Sequence, residues 1–365
     1  MLYISTFYNH YNTKIDNVNK NVEITQKYVI IYVVLKKGGY NMKSFTIGTN
    51  DADQRLDKFI SKSVPLLPKS LMYKYIRTKH IKVNRKRAEI STRLYVGDIV
   101  EMYINDEFFA PVQPRYDFLS AGTALSVVYE DENIILCDKP QGLIVHPDKN
   151  EYNDTLIGRI QRYLYEKGEF DPDSENSFKP ALANRIDRNT GGIVIAAKNA
   201  AALRILCDKI KTREIDKEYL AIAHGYFKKK QDILTGYLEK NEEKNKVYLS
   251  KTQNDKNLSI KTQYRVIAES DGLSLLRILL LTGRTHQIRA HMASIGHALL
   301  GDGKYGKLSE DKKLGFDKQA LYSYKLTFSF KSDAEILNYL NGRTFTVQKV
   351  WFADKLFGEK YKEQI

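Results

Sequence analysis

The segment NRIDRNTGGIVIAAKN, residues 184–199, sets Arg185, Asp187 and Arg188 within four positions, directly ahead of an apolar run that reads as a buried strand. A carboxylate among guanidiniums at a strand end suits nucleophilic or basic chemistry, because a neighbouring cation keeps it ionised and oriented. Similar polar residues recur at the ends of other apolar runs. KPQGLIVHP (139–147) places Lys139 and His146 on either side of a glycine-containing turn, and KEYLAIAHG (217–225) supplies Tyr219. LTGRTHQIRAHMASIGHALLGDGKYG (281–306) supplies Arg284, His286, Gln287 and Arg289. In that last stretch Ile288, Met292 and Ile295 mark an apolar helical stripe, and Arg289 falls beside it, within reach of a buried anion.

Taken singly, each residue has an ordinary explanation. An Asp ahead of a strand caps a turn, a Tyr alternating with Leu and Ala is a core residue with its hydroxyl at the rim, and basic residues at a helix end face water. Metal and nucleotide sites find no support. His286 and His291 are five apart without the glutamate of a metalloprotease helix, and GDGKYG (301–306) lacks the spacing of a phosphate loop. No metal and no cofactor are expected. Cys137 and Cys207, without CxxC spacing, are predicted to be reduced, buried thiols of a cytoplasmic protein.

The chain that must position these residues has 365 residues, more than one core usually organises, so two or more domains are expected. A formal charge of +14 and a pI near 9.3 favour a polyanionic partner, of which nucleic acid is the commonest. The apolar run YVIIYVVL (28–35) is too short to span a membrane. Residues 1–41 do not continue the pattern that follows. KKGGYNM ahead of Met42 matches codons of a purine-rich ribosome-binding site, so translation is expected to begin naturally at Met42 and the extension to have no role in the fold.

Residues 53–104 read as a compact unit. Leu56, Phe59 and Ile60 recur at helical spacing after Asp53, a candidate N-cap, and Leu71, Tyr75 and Ile76 repeat the pattern after Ser70. IKVN and DIVEMYI alternate as short strands, with VGD as a turn. Lys69, Lys74, Arg77, Lys79, Lys82, Arg85, Lys86 and Arg87 crowd into this unit with only Glu89 nearby, a density that attracts phosphates. Residues 105–120, with two prolines and no period, read as a linker. From 121 to 365, strand-like runs (125–139, 191–198, 217–227, 274–281) alternate with helix-like ones (155–168, 201–215), which predicts an α+β domain on a mixed, mostly antiparallel sheet. No coiled-coil heptad argues for a dimer, so a monomer is expected.

The first unit resembles the alpha-L RNA-binding domain of a ribosomal small-subunit protein through RLDK, IRTKHIKVN and VGDIV. The glycines usual after its second helix and after the Asn are replaced by Lys79 or His80 and by Arg85. The four chemical motifs together, KPQGLIVHP, NRIDRNTGG, KEYLAIAHG and the GRTHQIRAH…GDGKYG stretch, resemble the RluA/RluD-type pseudouridine synthases from about residue 53 to the C-terminus. Asn184 stands where that family usually has His, and Gly191 where it has Ser; both are expected to tune geometry or substrate choice.

The resemblance implies isomerisation of uridine to pseudouridine in structured RNA, most readily large-subunit ribosomal RNA, with transfer RNA as a further substrate class. It implies catalytic roles for Asp187, Tyr219 and Arg289, the latter as first choice and Arg284 as second for the cation against the carboxylate. Arg185 would occupy the stack vacated by a flipped base or pair with its orphaned partner. Ile186 and Ile288 would wall the site, and Arg284 and His286 would contact substrate. Lys139 and His146 are assigned to loop structure and RNA contact. Two other classes compete: an idle RNA-binding or ribosome-assembly factor that keeps the fold, and a hydrolase of free nucleosides, which would leave the basic module without a purpose.

Overall fold

The computed structural model describes residues 42–110, 116–149, 151–241, 246–250, 252–254 and 257–364. The N-terminal extension and the question of a Met42 start lie outside the described residues, as do positions 111–115 of the expected linker.

The basic module is a four-stranded antiparallel sheet with two helices: β1 (Met42–Thr46), α1 (Leu56–Ser63), α2 (Lys69–Arg77), β2 (Ile81–Val83), β3 (Lys86–Arg87) and β4 (Ile99–Tyr103), in the order β1-β4-β2-β3. The sheet thus starts at Met42, ahead of the unit expected from residue 53. Leu56, Phe59, Ile60, Met72 and Ile76 are buried with Ile81, Val100 and Met102 in one core. Each such side chain contributes about 1.5–3 kcal/mol. The caps differ from expectation. Asp53 sits at φ 59° and pairs with Arg93 (3.4 Å) and Arg204 (3.3 Å), leaving Arg55 as N-cap of α1. The second helix begins after Pro68, whose fixed φ suits a helix entrance, rather than after Ser70.

The missing glycines are explained by local bonds. Lys79, at φ 65°, takes the left-handed position after α2. Asn84 (φ 51°) and Arg85 (φ 63°) form the two-residue turn between β2 and β3, which requires positive φ at both. Asn84 offsets its strain by donating to Asp98 Oδ1 (2.7 Å) and accepting from the Ile99 amide (2.8 Å), and the Arg85 amide donates to Glu101 (2.8 Å).

The larger module holds an eleven-stranded sheet. Its elements are β5 (Val127–Glu130), β6 (Ile134–Lys139), α3 (Leu156–Glu166), β7 (Ala181–Leu182), β8 (Gly191–Ala197), α4 (Ala200–Lys211), β9 (Ile215–His224), β10 (Gln231–Asn241), β11 (Lys246–Ser250), β12 (Leu258–Ser270), β13 (Leu273–Leu280), α5 (Gln287–Ser294), α6 (Leu308–Lys313), β14 (Leu321–Phe328), β15 (Thr344–Thr346) and α7 (Trp351–Phe357). The path runs β11-β10-β12-β13-β9-β14-β8-β6-β5, with β15 on β14 and β7 on β8. Only the β14–β8 pair is parallel, so the sheet is mixed and mostly antiparallel, as predicted. Both faces are covered. Ile193 and Ile195 pack with α4 and α7 residues on one face, while Val194 and Ala196 pack with α3 and α5 residues on the other.

Three details depart from expectation. Cys137 is buried, but Cys207 is exposed, because it follows buried Leu206 by one residue and the helical step of about 100° turns it away from the sheet. Residues 117–120 form a short 3-10 turn with Phe118 buried against the α3 side of the larger core, so this part of the linker is packed. Ile295 is exposed just past the end of α5, and the apolar stripe stops at Met292.

The two modules are joined by a polar seam. Asp51, nearly fully buried, accepts from Ser177 Oγ (2.6 Å) and Asn176 Nδ2 (2.7 Å). Asn50 donates to Glu175 (2.7 Å) and accepts from the Ala200 amide at the start of α4 (3.1 Å), and Gln54 donates to Ser177 (3.0 Å).

Candidate active site

Asp187 lies on the loop between β7 and β8, and the loop is held by the 139–143 turn. Lys139 ends β6 with no exposed surface, its Nζ donating to the carbonyls of Pro140 (2.9 Å), Leu143 (2.7 Å) and Arg188 (2.9 Å). The Gly142 amide also donates to Arg188 O (2.9 Å), and Gln141 Nε2 donates to Asn189 O (3.0 Å). Burial pushes the Lys139 ammonium down to about 7, against the opposing charges of Asp187 and Asp138. The expected loop role fits this position, but the expected RNA contact does not: a side chain enclosed by three carbonyls reaches no solvent.

The two departures from the family pattern also serve the loop. Asn184 Oδ1 accepts from the Ile195 amide (2.8 Å), pinning the loop to β8. Gly191 lies against Tyr322: a Cβ there would stand 2.3 Å from the ring, so a serine has no room. Gly192, at φ 109°, passes so close to Ser323 that a Cβ would meet its carbonyl at 2.2 Å. Asn184 through its hydrogen bond and Gly191 through close packing thus both bear on the geometry of the loop, the first of the two effects expected of them.

The Asp187 carboxylate, a quarter exposed, accepts from Arg289 Nη1 at 2.9 Å. Arg289 is buried on α5, where its Nε and Nη2 grip Asp302 in a two-pronged pair (2.7 and 2.8 Å). Asp302 is fully buried and also accepts from the Lys304 and Tyr305 amides (2.9 and 3.1 Å). Burial alone would raise the Asp302 carboxyl, but the Arg289 fork and these amides outweigh it and hold it below the usual range. Arg289 is shifted upward by the two carboxylates against its own burial. The guanidinium is thus a fixed cation with one edge committed to Asp302 and the other presented to Asp187.

His286 caps α5 in the left-handed region (φ 54°), its Nε2 3.8 Å from Asp187 Oδ2, beyond hydrogen-bond reach. Its Nδ1 meets the Tyr305 hydroxyl at 3.1 Å, and Tyr305 also accepts from the Val247 amide (3.0 Å), which ties strand β11 to the site. Burial lowers the His286 pKa, with Asp187 opposing and Arg289 reinforcing the shift. Gln287 locks the preceding turn by accepting from Thr282 Oγ1 (2.8 Å) and the Arg284 amide (3.1 Å) and donating to Thr262 (2.8 Å).

Tyr219, on β9, shares one apolar cluster with Ile186 and Ile288. Burial, with the Asp187 charge adding to it, pushes its phenol up to about 12. Arg185 and His146 each keep surface open to solvent, and the His146 pKa is lowered by the partial burial of its ring and then by the Arg185 charge. Arg284 is exposed and does not touch Asp187, so of the two arginines considered for that contact Arg289 makes it. In the smaller module Lys69, Lys74, Arg77, Lys79, Arg85, Lys86 and Arg87 are exposed, while Lys82 is half-buried with its ammonium 5.2 Å from the Tyr103 ring centre. None of these eight pairs with a described carboxylate.

Sequence reasoning missed Asp302 and Tyr305. Both stand in GDGKYG, which enters the sequence reading as a rejected phosphate loop and as part of the fourth motif, without a role for either residue; an acidic residue shortly after an arginine-bearing apolar helix is the available signal. Among the described residues no His, Cys, Asp and Glu cluster fits a metal ion, and no helix is long and apolar enough to cross a membrane.

Residues 133–294 match the RNA pseudouridylate synthase family and residues 54–100 the S4 domain. An RNA pseudouridine synthase of Mycoplasma capricolum is 32% identical over 317 residues, which span 86% of this chain and 99% of that protein. A ribosomal large subunit pseudouridine synthase C of Haemophilus ducreyi is 29% identical (81% and 90% covered), and a ribosomal large subunit pseudouridine synthase D of Borreliella burgdorferi is 29% identical (78% and 84% covered). In fold, the chain is similar to human RNA pseudouridylate synthase domain containing 1, with a TM-score of 0.50, 20% identity, and 64% and 86% covered. With a synthase sheet, a basic S4 module and relatives matched over most of their length, this chain belongs to the RNA pseudouridine synthase family of isomerases.

Proposed function

We propose that the protein isomerises uridine to pseudouridine in large-subunit ribosomal RNA, with Asp187 as the essential carboxylate. The observation that carries this reading is the Asp302–Arg289–Asp187 chain: a buried guanidinium, immobilised by one carboxylate, aims a second, partly exposed carboxylate into the site. The reaction breaks the N1–C1′ bond, turns the uracil, forms the C5–C1′ bond and moves the C5 proton off carbon. Asp187 attacks or deprotonates the ribose, as carboxylates do in glycosyl chemistry. Tyr219 stacks on the uracil from the apolar wall of Ile186 and Ile288. A phenol near 12 stays protonated, so its part in removing the C5 proton is that of a relay, taking that proton as it passes its own to solvent, while the freed N1 takes up a proton from solvent.

The target must leave its helix at a cost of about a few kcal/mol. Exposed Arg185 fills the gap, and the unpaired cations of the S4 module hold the flanking RNA. The test is tritium release from ribosomal RNA transcribed with C5-tritiated uridine. Release by the wild type that disappears in Asp187→Ala is expected. Absence of release from ribosomal RNA by the folded wild type, with RNA binding intact, would overturn the proposal.

A further inference from the structure

Beside the carboxylate chain lies a second cluster with the opposite imbalance. Lys217 stands two residues before Tyr219 on β9 and so on the same face of the sheet. It is 8% exposed, yet it makes no hydrogen bond or ion pair among the described residues, and its ammonium is not sealed in with the enclosed orphan atoms. Arg213, in the turn between α4 and β9, lays its guanidinium over Gly283, where Nη1 is 4.0 Å from the place a Cβ would take. Arg284 is the next residue. Burial, with the Arg213 charge adding to it, lowers the Lys217 pKa to about 8; Arg213 is lowered by burial and then by Arg284.

The nearby carboxylates are engaged elsewhere. Glu214 holds Lys209 (2.9 Å), Asp216 accepts from Ser329 (3.1 Å), and Glu218 is paired with Arg277 on the opposite face of the strand. Arg213 thus acts against Lys217 on one side and Arg284 on the other without a counter-charge, and a nearly buried, unpaired ammonium is costly. An anion entering among them removes both costs. The strand carrying Lys217 also carries Tyr219, and the turn carrying Arg284 leads through His286 into the helix of Arg289, so such an anion sits at the edge of the uridine pocket.

We propose that Lys217, Arg213 and Arg284 form a phosphodiester-binding site that grips the RNA backbone at or next to the target nucleotide. Its position relative to the uridine rests on the synthase reading above; its affinity for RNA does not. The test is fluorescence anisotropy with a labelled, uridine-containing single-stranded RNA decamer, titrated across KCl concentrations, for wild type, Lys217→Met and Arg213→Gln. Each variant is expected to bind roughly tenfold more weakly. Each is also expected to show a slope of log affinity against log salt that is shallower by about 0.7, the loss of one phosphate contact on a single strand. Lys217→Met should melt no lower than wild type, since it loses only an unpaired buried charge.

Wild-type affinity and slope in both variants, or a lower melting point of Lys217→Met without a change in slope, would overturn the site. Should Lys217→Met fail to fold, the exposed Arg213→Gln decides alone. Because the assay needs no turnover, failure of the synthase reading shows itself separately, as absent tritium release with these binding differences intact.

Discussion

Asp302→Asn tests the carboxylate chain at the member farthest from substrate. The amide keeps the shape of the side chain but replaces one oxygen with a donor. Oδ1 receives Arg289 Nη2 and the Lys304 and Tyr305 amides, whereas Oδ2 receives only Arg289 Nε, so the new NH2 group settles at the Oδ2 position and faces the Nε–H. One charged hydrogen bond is lost in a fully buried place and two donors are set against each other, which costs about 3 kcal/mol of stability. The guanidinium relieves the conflict by turning, and Nη1 moves off Asp187. Displacement of a reacting group by ~1 Å costs about 10²-fold in rate. We therefore expect kcat in the C5-tritium assay at saturating RNA to fall about a hundredfold while RNA affinity stays within about twofold. Stability should show a linked change with pH. Asp302 is held below its ordinary pKa in the folded protein, so its ionisation stabilises the wild type above the unfolded value of ~3.9, and that contribution is lost as pH falls through the lower folded value. Urea melts of Asp302→Asn should lack that part of the acid loss. A folded Asp302→Asn protein with kcat close to wild type would refute the claim that Asp302 positions Asp187 through Arg289.

Three further outcomes follow from positions already described. Arg85→Gly relieves a left-handed residue in the β2–β3 turn and should stabilise the protein by about 1 kcal/mol in urea melts, while weakening RNA binding through the lost charge. Gly191→Ser, which restores the residue usual in the family, should destabilise by about 1–3 kcal/mol because the Tyr322 ring occupies the space, and unchanged stability would show that Tyr322 yields. A maleimide should modify Cys207 in the native protein and Cys137 only after denaturation, as read by peptide mass.

Much of this arrangement was legible in the residues themselves. The runs around residues 135, 195, 220 and 276 declare strands because they are apolar throughout, the mark of strands covered on both faces. Arg289 ranks ahead of Arg284 through the family resemblance of the GRTHQIRAH stretch, and its place beside the apolar stripe agrees with that choice. What escaped detection depends on tertiary partners. Strands β10 and β11 carry so many polar residues that no period stands out, and although Ile260, Thr262 and Tyr264 of β12 do alternate with polar residues, the pairing of all three is fixed by neighbours distant in sequence. Lys139 looked like a ligand for RNA because a lysine at a turn usually faces water, and only the fold supplies the three carbonyls that enclose it. Gly191 looked like a change in the site because the ring that excludes a serine comes from residue 322.

The seam of Asn50, Asp51 and Gln54 against residues 175–177 and Ala200 bears on how the protein discriminates among RNAs. Two recognition modules on a loose tether would each bind wherever their own site occurs, joined only by an effective concentration. Here the buried Asp51 and its hydrogen bonds settle the relative orientation before any RNA arrives, so the ordering entropy is spent in folding rather than in binding. On the synthase reading proposed above, the molecule is expected to act as a gauge of fixed span, favouring RNAs whose target uridine and module-bound segment stand at the separation of the two modules.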